Sequence, residues 1–150
     1  MPIHSPQTPT EWAAYYQLRY EVLRQPWRQP AGSERVPEDE DPATVHALQL
    51  APNGEAVGVA MLQSAGVGRG QVRFMAVAPA WQGRGIGREL LEYLEEAATQ
   101  LGYREIVLHA REAAVPFYIR LGYVIEAPSH TLFGSIPHFL MVKQLASKEE

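Results

Sequence analysis

The segment from Gln82 to Gly102 constrains the fold of this chain more than any other. It begins QGRGIG, with glycine at positions 83, 85 and 87, and continues directly into an amphipathic run. The apolar residues of that run follow the three- and four-residue spacing of one helical face: Ile86, Leu90, Leu91, Leu94, Ala97, Ala98 and Leu101. Gly102 suits the left-handed position that ends many helices. The pattern therefore predicts a long helix whose N-terminus is a glycine loop.

This glycine loop is a candidate site for a phosphate or pyrophosphate group. The first backbone N–H groups of a helix have no partner within the helix, and they carry the positive end of its dipole. Residues without side chains let an anion approach those N–H groups closely. Because a glycine loop also occurs where a helix packs tightly, the glycines alone leave both ligand binding and packing open.

The spacing of the glycines does not match two known phosphate-binding motifs. A Walker loop ends in Gly-Lys-Ser or Gly-Lys-Thr, whereas Gly83 is followed five residues later by Arg88, with no Lys-Ser or Lys-Thr. A dinucleotide fingerprint needs its third glycine at the position of Arg88. The second cluster, GVGRGQ from Gly66, has Gln71 at that position and is predicted to be a loop between strands. A nucleotide- or anion-binding domain is therefore the least favoured function.

The rest of the chain alternates helix and strand patterns. Residues 10–24 predict a helix, with Thr10 as its N-cap and Pro26 just beyond its end. Two apolar runs on either side of Asn53-Gly54 predict a β-hairpin. Further strands are predicted at 70–79, 104–110, 123–128 and 137–145, and a second helix within 111–122. This order predicts one domain over residues 1–150, with a mixed sheet covered by helices on both faces.

A proline-rich acidic segment, residues 25–44, separates the first helix from the hairpin. It contains four prolines and the acidic residues Glu34, Glu38, Asp39, Glu40 and Asp41. Long ordered loops are often functional, but charge runs usually face water. We expect a solvated acidic loop here rather than a segment at the mouth of a substrate site.

Composition excludes several classes of protein. No apolar run approaches the roughly 20 residues of a membrane span, and the N-terminus lacks the regions of a secretory signal, so we expect a cytoplasmic protein. The absence of cysteine excludes disulfides, thiolate metal sites and a cysteine nucleophile, and no metal is expected. A net charge of −4 argues against a nucleic-acid partner.

Three segments in this order resemble the GCN5-related N-acetyltransferase (GNAT) superfamily. The first, VRFMAVAPAWQGRGIGRELLEYLEEAA, contains the family pattern Q/R-x-x-G-x-G/A from Gln82 to Gly87. It is followed by LHAREAAVPFYIRLGY and SIPHFLMVKQL, so the resemblance spans about residues 57–145. More narrowly, the series resembles small bacterial members of the family. The resemblance implies an α+β GNAT-like fold with a mixed, mostly antiparallel sheet.

The resemblance also implies acetyl-CoA, or another acyl-CoA, as co-substrate. The pyrophosphate would bind the amides of residues 83–88, and the pantetheine would run beside residues 74–77, pairing with the backbone of Met75 and Val77. The side chains of Arg84 and Arg88 would either contact the phosphate groups or simply face solvent at the start of the helix, and both interpretations stay equally open. The implied cofactor-binding residues are Met75, Ala76, Val77, Gln82, Gly83, Arg84, Gly85, Ile86, Gly87, Arg88 and Arg111.

The reaction implied is transfer of the acetyl group to a primary amine by direct attack in a ternary complex. The backbone N–H of Val77 is the candidate donor to the developing oxyanion. Tyr118 matches the usual acid that protonates the departing thiolate, and this role is favoured over that of a buried structural tyrosine. A CoA-binding regulatory module without turnover is the alternative function.

Two residues depart from the family pattern. Arg111 stands where many relatives place an asparagine, and Arg73 stands where many carry a glutamate that helps to remove the amine proton. The general base is therefore unassigned, with His130, His138, Glu21 and a water chain as candidates.

The acceptor amine is also left open by the sequence. The acidic balance slightly favours a cationic amine, such as a polyamine, an aminoglycoside or a lysine side chain, while a peptide N-terminus is equally open. The strand at 138–145 is a candidate for a sheet edge that pairs between subunits of a homodimer.

Overall fold

The computed structural model describes residues 1–146. Within that range the strands form one sheet in the order β1-β2-β3-β4-β5-β7-β6, in which β4 and β5 are parallel and every other neighbouring pair is antiparallel. The strands are β1 Ile3–His4, β2 Val45–Leu50, β3 Ala56–Ser64, β4 Arg69–Val77, β5 Glu105–Arg111, β6 Val124–Leu132 and β7 Ile136–Gln144. The helices are α1 Pro9–Leu23, α2 Ile86–Gln100 and α3 Val115–Arg120. The predicted α+β fold with a mixed, mostly antiparallel sheet is confirmed.

Helices cover both faces of the sheet because adjacent strand residues point to opposite sides. Helix α1 packs on one face, where Tyr15 and Leu18 join a cluster with Leu48 and Val59. Helices α2 and α3 pack on the other face, over the alternate residues of the same strands and of β5. No helix among residues 1–146 has the length and apolar composition to cross a membrane.

Helix α1 begins two residues earlier than the sequence pattern indicates. The N-cap is Thr8, whose Oγ1 accepts a hydrogen bond of 3.1 Å from the backbone N–H of Glu11, so the prediction of Thr10 is wrong. Pro9 occupies the first helical position, where its missing N–H would have no partner in any case. The helix ends at Leu23, ahead of a short 3₁₀ turn that contains Pro26.

The start of helix α2 is held against the sheet at Gly58 of β3. A Cβ atom at Gly58 would lie 2.6 Å from Cγ2 of Ile86 and 2.9 Å from Cδ1 of Leu90. Only a residue without a side chain allows this approach, so β3 fixes where the glycine loop meets the helix. At the other end of the helix, Gly102 has a φ of 83°, as expected for a helix-ending glycine.

Strand β7 lies inside the sheet, between β5 and β6. The prediction that residues 138–145 form a sheet edge is therefore wrong, because sheet order depends on long-range pairing that strand patterns do not reveal. Strand β6 is the outer strand and continues to Leu132, beyond the predicted 123–128. The two-residue strand β1 was not predicted, since two residues are too few to show alternation.

The acidic segment is more ordered than expected, because one of its carboxylates is buried in an ion pair. Both carboxylate oxygens of Asp39 lie 3.0 Å from Nη1 of Arg19, whose side chain is fully buried. The same Arg19 nitrogen donates to the carbonyl oxygen of Glu34, which is also buried. A solvated loop is therefore the wrong description for Asp39 and Glu34. Charge patterns do not reveal a partner 20 residues away.

Two more side chains complete this buried network. Nη2 of Arg19 donates to the hydroxyl of Tyr15 over 2.9 Å, and that hydroxyl lies 2.8 Å from Nδ1 of His46. The other ring nitrogen of His46, Nε2, lies 3.1 Å from the carbonyl oxygen of Asp39 and must donate to it. Burial lowers the pKa of His46, which favours the neutral ring, so Nδ1 shares the Tyr15 proton with the carbonyl oxygen of Ala60, 3.2 Å from the Tyr15 hydroxyl.

Candidate active site

Strands β4 and β5 separate part-way along their length. They pair only through Arg69–Gln71 and Glu105–Val107, although β4 continues to Val77 and β5 to Arg111. Opposite the separation, the pairing of β4 with β3 contains a bulge, and Phe74 within it has a φ of 56°. A bulge bends its strand, and a bulky residue at positive φ is uncommon enough to mark a functional segment.

A cavity of about 860 Å³ opens at this separation. Its walls come from both strand ends, the glycine loop, the start of α3, the end of α1 and the β6–β7 hairpin. The structure brings together at this cavity all of the predicted site residues except Arg84: Met75, Ala76, Val77, Gln82, Gly83, Gly85, Ile86, Gly87, Arg88, Arg111 and Tyr118.

The glycine loop has the backbone geometry of an anion cradle. Gly83 and Gly85 have φ values of 80° and 82°, and a Cβ atom at either would meet nothing within 4 Å. Gly85 is the N-cap of α2, and no side chain caps the helix there among the described residues. The first amides of α2 are therefore available to a ligand.

Gln82 holds the loop against the end of β4. Its Nε2 donates to the carbonyl oxygen of Val77 over 3.2 Å. The N–H of Ala78 donates to the carbonyl oxygen of Val57 over 2.9 Å. Because hydrogen-bonded and non-hydrogen-bonded pairs alternate along antiparallel strands, the next pair, Val77 and Gly58, has no hydrogen bonds between its two backbones. The N–H and C=O of Val77 therefore both point away from β3, into the gap between β4 and β5.

The two arginines of the loop are placed differently. Arg84 lies outside the cavity, with its guanidinium carbon 4.8 Å from the centre of the Trp81 ring. Arg88 lines the cavity, and its Nε donates to Glu92 over 2.7 Å, one helical turn away. Contact between either arginine and a phosphate stays a prediction.

Tyr118 is buried at the cavity wall. Its ring makes edge contacts with Phe117, at 5.0 Å between ring centres, and with Tyr123, at 5.8 Å. Among residues 1–146, no hydrogen bond uses its hydroxyl group. Burial raises the pKa of Tyr118 to about 12, against the opposing effect of the Arg111 charge. The hydroxyl is thus protonated at neutral pH.

Three histidines from adjacent strands line one side of the cavity. His109 Nδ1 lies 2.6 Å from the hydroxyl of Ser129, which lies 2.9 Å from Nδ1 of His130. The rings of His130 and His138 are stacked at 4.6 Å. Burial lowers the pKa values of His109 and His138, with the His130 charge as a smaller cause in both. The lowered pKa values favour the neutral rings of His109 and His138, which are able to accept a proton.

The other candidate base is not at the cavity. Glu21 lies on the exposed side of α1, where its Oε1 accepts a hydrogen bond of 2.7 Å from Gln17. Across residues 1–146, no group of three or more His, Cys, Asp or Glu side chains is arranged to hold a metal ion.

The sequence is similar to that of a known protein family. Residues 12–123 match the model of the acetyltransferase (GNAT) family. The chain belongs to the GNAT family. The YjcF protein of Bacillus subtilis, named as an uncharacterized N-acetyltransferase, is 33% identical over 76 residues, which are 51% of this chain and 54% of YjcF. The chain spans about half the length of the curated relatives it matches.

Solved structures with this fold match almost the whole GNAT chain. A candidate N-acetyltransferase of Lactobacillus plantarum superposes with a TM-score of 0.82 and 28% identity, over 97% of this chain and 98% of the other. An aminoglycoside 6′-N-acetyltransferase complexed with coenzyme A superposes with a TM-score of 0.83 and 19% identity over the full length of both chains. The second likeness shows the fold alone.

Sequence patterns missed several residues at the cavity of this GNAT protein. His109 alternates with Arg111 on β5 and so shares its face, a period-two signal that was available in the sequence. Arg24, Trp27 and Phe133 also line the cavity, but they come from segments that meet only in the folded chain. No local pattern would have identified them. Because Trp27 belongs to the segment 25–44, the expectation that this segment lies away from a substrate site is wrong at that residue.

Proposed function

We propose that this protein is an acyl-CoA-dependent N-acyltransferase that moves an acetyl group from acetyl-CoA to a primary amine by direct attack in a ternary complex. One observation carries the proposal: an uncapped glycine loop, the unpaired end of β4 and Tyr118 all line one cavity. This arrangement supports an anion cradle, an acyl-binding strand and an acid at one site.

The residues present fit an acyl-CoA molecule. The open space at Gly83 and Gly85 lets a pyrophosphate approach the amides of residues 83–88. The outward N–H of Val77 is free to pair with the pantetheine or with the acyl carbonyl, whereas its C=O accepts a hydrogen bond from Gln82. Acetyl-CoA supplies the thioester carbon that the amine nitrogen attacks. The protein holds this carbon at the point where β4 and β5 diverge.

The protein's own groups then act on the developing oxyanion, on the departing sulfur and on the proton of the amine. As the C–N bond forms and the C–S bond breaks, the Val77 N–H donates to the carbonyl oxygen, where charge develops. Tyr118 donates to the departing sulfur. Because a thiol is a stronger acid than a tyrosine whose pKa is about 12, Tyr118 acts mainly through this hydrogen bond, and the departing thiolate takes its proton from solvent. The amine proton passes to the histidine group or to water.

Release of CoA thiol from acetyl-CoA, measured across a panel of amines, tests this function. Amine-dependent release with a matching acetylated product supports the transferase. Acetyl-CoA binding without release for any amine supports the regulatory CoA-binding module instead.

A thermal-shift comparison tests separately which class of ligand the protein binds. Acetyl-CoA at a hundred times its dissociation constant is expected to add about 2.7 kcal/mol to the free energy of unfolding. Stabilisation by NAD or ATP and none by acetyl-CoA would overturn the proposal.

A further inference from the structure

The cavity has a second end, distant from the glycine loop. It is formed by Arg24, Trp27, Arg73, Phe74 and Phe133, which we call the arginine end. Arg73 precedes Val77 by four residues of β4, a distance of about 13 Å at the rise of a strand. Because the glycine loop would hold the pyrophosphate of acetyl-CoA, the arginine end is left for the acceptor amine.

Aromatic rings and guanidinium groups meet closely at the arginine end. The guanidinium carbon of Arg24 lies 5.3 Å from the centre of the Phe74 ring and 5.6 Å from that of Phe133. Arg73 lies 4.8 Å from the Phe74 ring, and Trp27 lies 6.0 Å from the Phe133 ring. The two cations therefore share a partly apolar wall.

The whole cavity is cationic, although the chain has a net charge of −4. Four arginines line it, and within residues 1–146 none of the lining residues is Asp or Glu. The charge of the cavity is thus opposite to that of the protein. A positive concave surface concentrates anionic ligands and disfavours cationic ones.

Arg24 has no carboxylate partner among the described residues. Its Nε and Nη1 donate to the carbonyl oxygens of Ser33 and Leu23, each over 3.1 Å, and Nη2 has no hydrogen bond within residues 1–146. Burial lowers the pKa of Arg24, and repulsion from Arg73 and Arg19 lowers it further, while the charge of Glu34 opposes this shift as the smallest of the four causes. An anion beside Arg24 would relieve this repulsion.

Arg73 is only partly neutralised. Its Nη1 donates to Oε1 of Gln63 over 3.1 Å and lies 3.8 Å from Oε1 of Glu38, which is outside the cavity wall. Both arginines are half-buried, where hydrogen bonds to an anion are stronger than in water.

We infer that the acceptor is a primary amine that also carries a carboxylate group, which binds Arg24 and Arg73 while the amine reaches the thioester. This inference rests on the proposed function and names its substrate class. It differs from the expectation of a cationic amine, which follows from net charge, because the cavity does not share the charge of the whole chain. The rings of Trp27 and Phe133 would pack on an apolar part of the acceptor.

Matched pairs of amines that differ only in the carboxylate test the inference. Phenylalanine and phenylalaninamide form one pair, glycine and glycinamide another, and spermidine serves as a cationic amine without a carboxylate. Binding to the CoA-loaded protein is measured by calorimetry, and kcat/KM by thiol release. We expect the acid to exceed its amide by about tenfold to a hundredfold in both, the range of a charge-assisted hydrogen bond. The amide has the lower amine pKa, so a larger fraction of it is the neutral, reactive amine near pH 7, and this works against the expected result.

Variants of Arg24 and Arg73 test whether these two residues cause the preference for the acid over its amide. In Arg24→Gln and Arg73→Gln the ratio of acid to amide should fall toward one, while acetyl-CoA affinity is retained as proof of folding. Arg69→Gln, which removes an exposed arginine outside the cavity, should keep the ratio of the native protein. The inference would be overturned by equal affinity and kcat/KM for acid and amide, by no binding and no thiol release with either, or by a preference for spermidine.

The two readouts separate this inference from the proposed function. Thiol release that does not distinguish acid from amide leaves the transferase in place and removes the carboxylate-bearing acceptor. Charge-dependent binding without thiol release for any amine removes the transferase and supports the carboxylate site alone. Ethanolamine and phosphoethanolamine show whether the site accepts phosphate, and a preference for phosphoethanolamine over every carboxylate would also overturn the inference.

Discussion

The guanidinium carbon of Arg19 lies 4.2 Å from the centre of the Phe74 ring. Arg19 belongs to the buried network with Tyr15 and Asp39, whereas Phe74 is the positive-φ residue of the β4 bulge. The contact connects the core beneath α1 to the point where β4 and β5 separate. The network therefore supports the shape of the cavity as well as the stability of the fold.

The first prediction concerns the buried carboxylate of this network. Asp39→Ala leaves the guanidinium of Arg19 buried without its ion-pair partner, so the free energy of unfolding should fall by about 3–5 kcal/mol. Urea denaturation measures this change. Glu40→Ala, a neighbouring exposed carboxylate, is the control and should change stability by less than about 0.5 kcal/mol. Similar stability for both variants would contradict the structural role given to Asp39.

The second prediction concerns the glycine loop. Gly85→Glu adds bulk and negative charge where a pyrophosphate would approach, so it should abolish measurable acetyl-CoA binding while the protein stays folded. The left-handed φ of 82° adds a backbone cost of about 1–2 kcal/mol. Calorimetry gives the affinity, and circular dichroism gives the fold.

Gly54→Glu is the matched control for that variant. Gly54 has a φ of 88°, and a Cβ atom there meets nothing within 4 Å, but the residue lies in the β2–β3 hairpin. It adds the same charge and a similar backbone cost without touching the loop. Unchanged affinity in the folded Gly85 variant would place the anion site elsewhere.

The third prediction concerns Tyr118. Tyr118→Phe keeps the ring packing and removes the hydroxyl, so turnover should fall by about 10²-fold, the low end for an acid–base residue. Because the pKa of Tyr118 is about 12, the native enzyme should show no loss of activity from tyrosine ionisation between pH 6 and 9. Acetyl-CoA affinity should change little. Full turnover in the variant across this range would show that the Tyr118 hydroxyl does not assist the departure of the thiolate.

The fourth prediction concerns the histidines in acid. Burial lowers the pKa values of His46, His109 and His138, so folding favours their neutral forms. The unfolded chain then takes up protons first as the pH falls below the usual histidine value of about 6.5. Stability should therefore decrease from pH 7 to pH 5.

His138→Gln tests this assignment, because the variant should lose less stability over that interval than the native protein. Denaturant midpoints at pH 7, 6 and 5 give the comparison. An identical dependence on pH in both proteins would exclude His138 as a contributor.

Local patterns predicted the elements of the fold better than the site. Helix α2 and the hairpin at Asn53-Gly54 follow from spacing along a few residues, and the structure contains both. The pairing of Asp39 with Arg19 joins residues that are 20 positions apart. Arg24 and Phe133 are more than 100 positions apart, yet they meet at one end of the cavity. Such contacts depend on strand order, which neither periodicity nor composition encodes.

The separation of β4 from β5 divides the sheet into two halves that share main-chain hydrogen bonds at one end only. A molecule lying in the gap would act as a missing strand, since its amides would replace the absent partner of Val77. Binding would then restrain the hinge between the halves. The amide of Val77, which points into the gap, would exchange hydrogen slowly only while the gap is filled, and this would report occupancy without any chemical turnover.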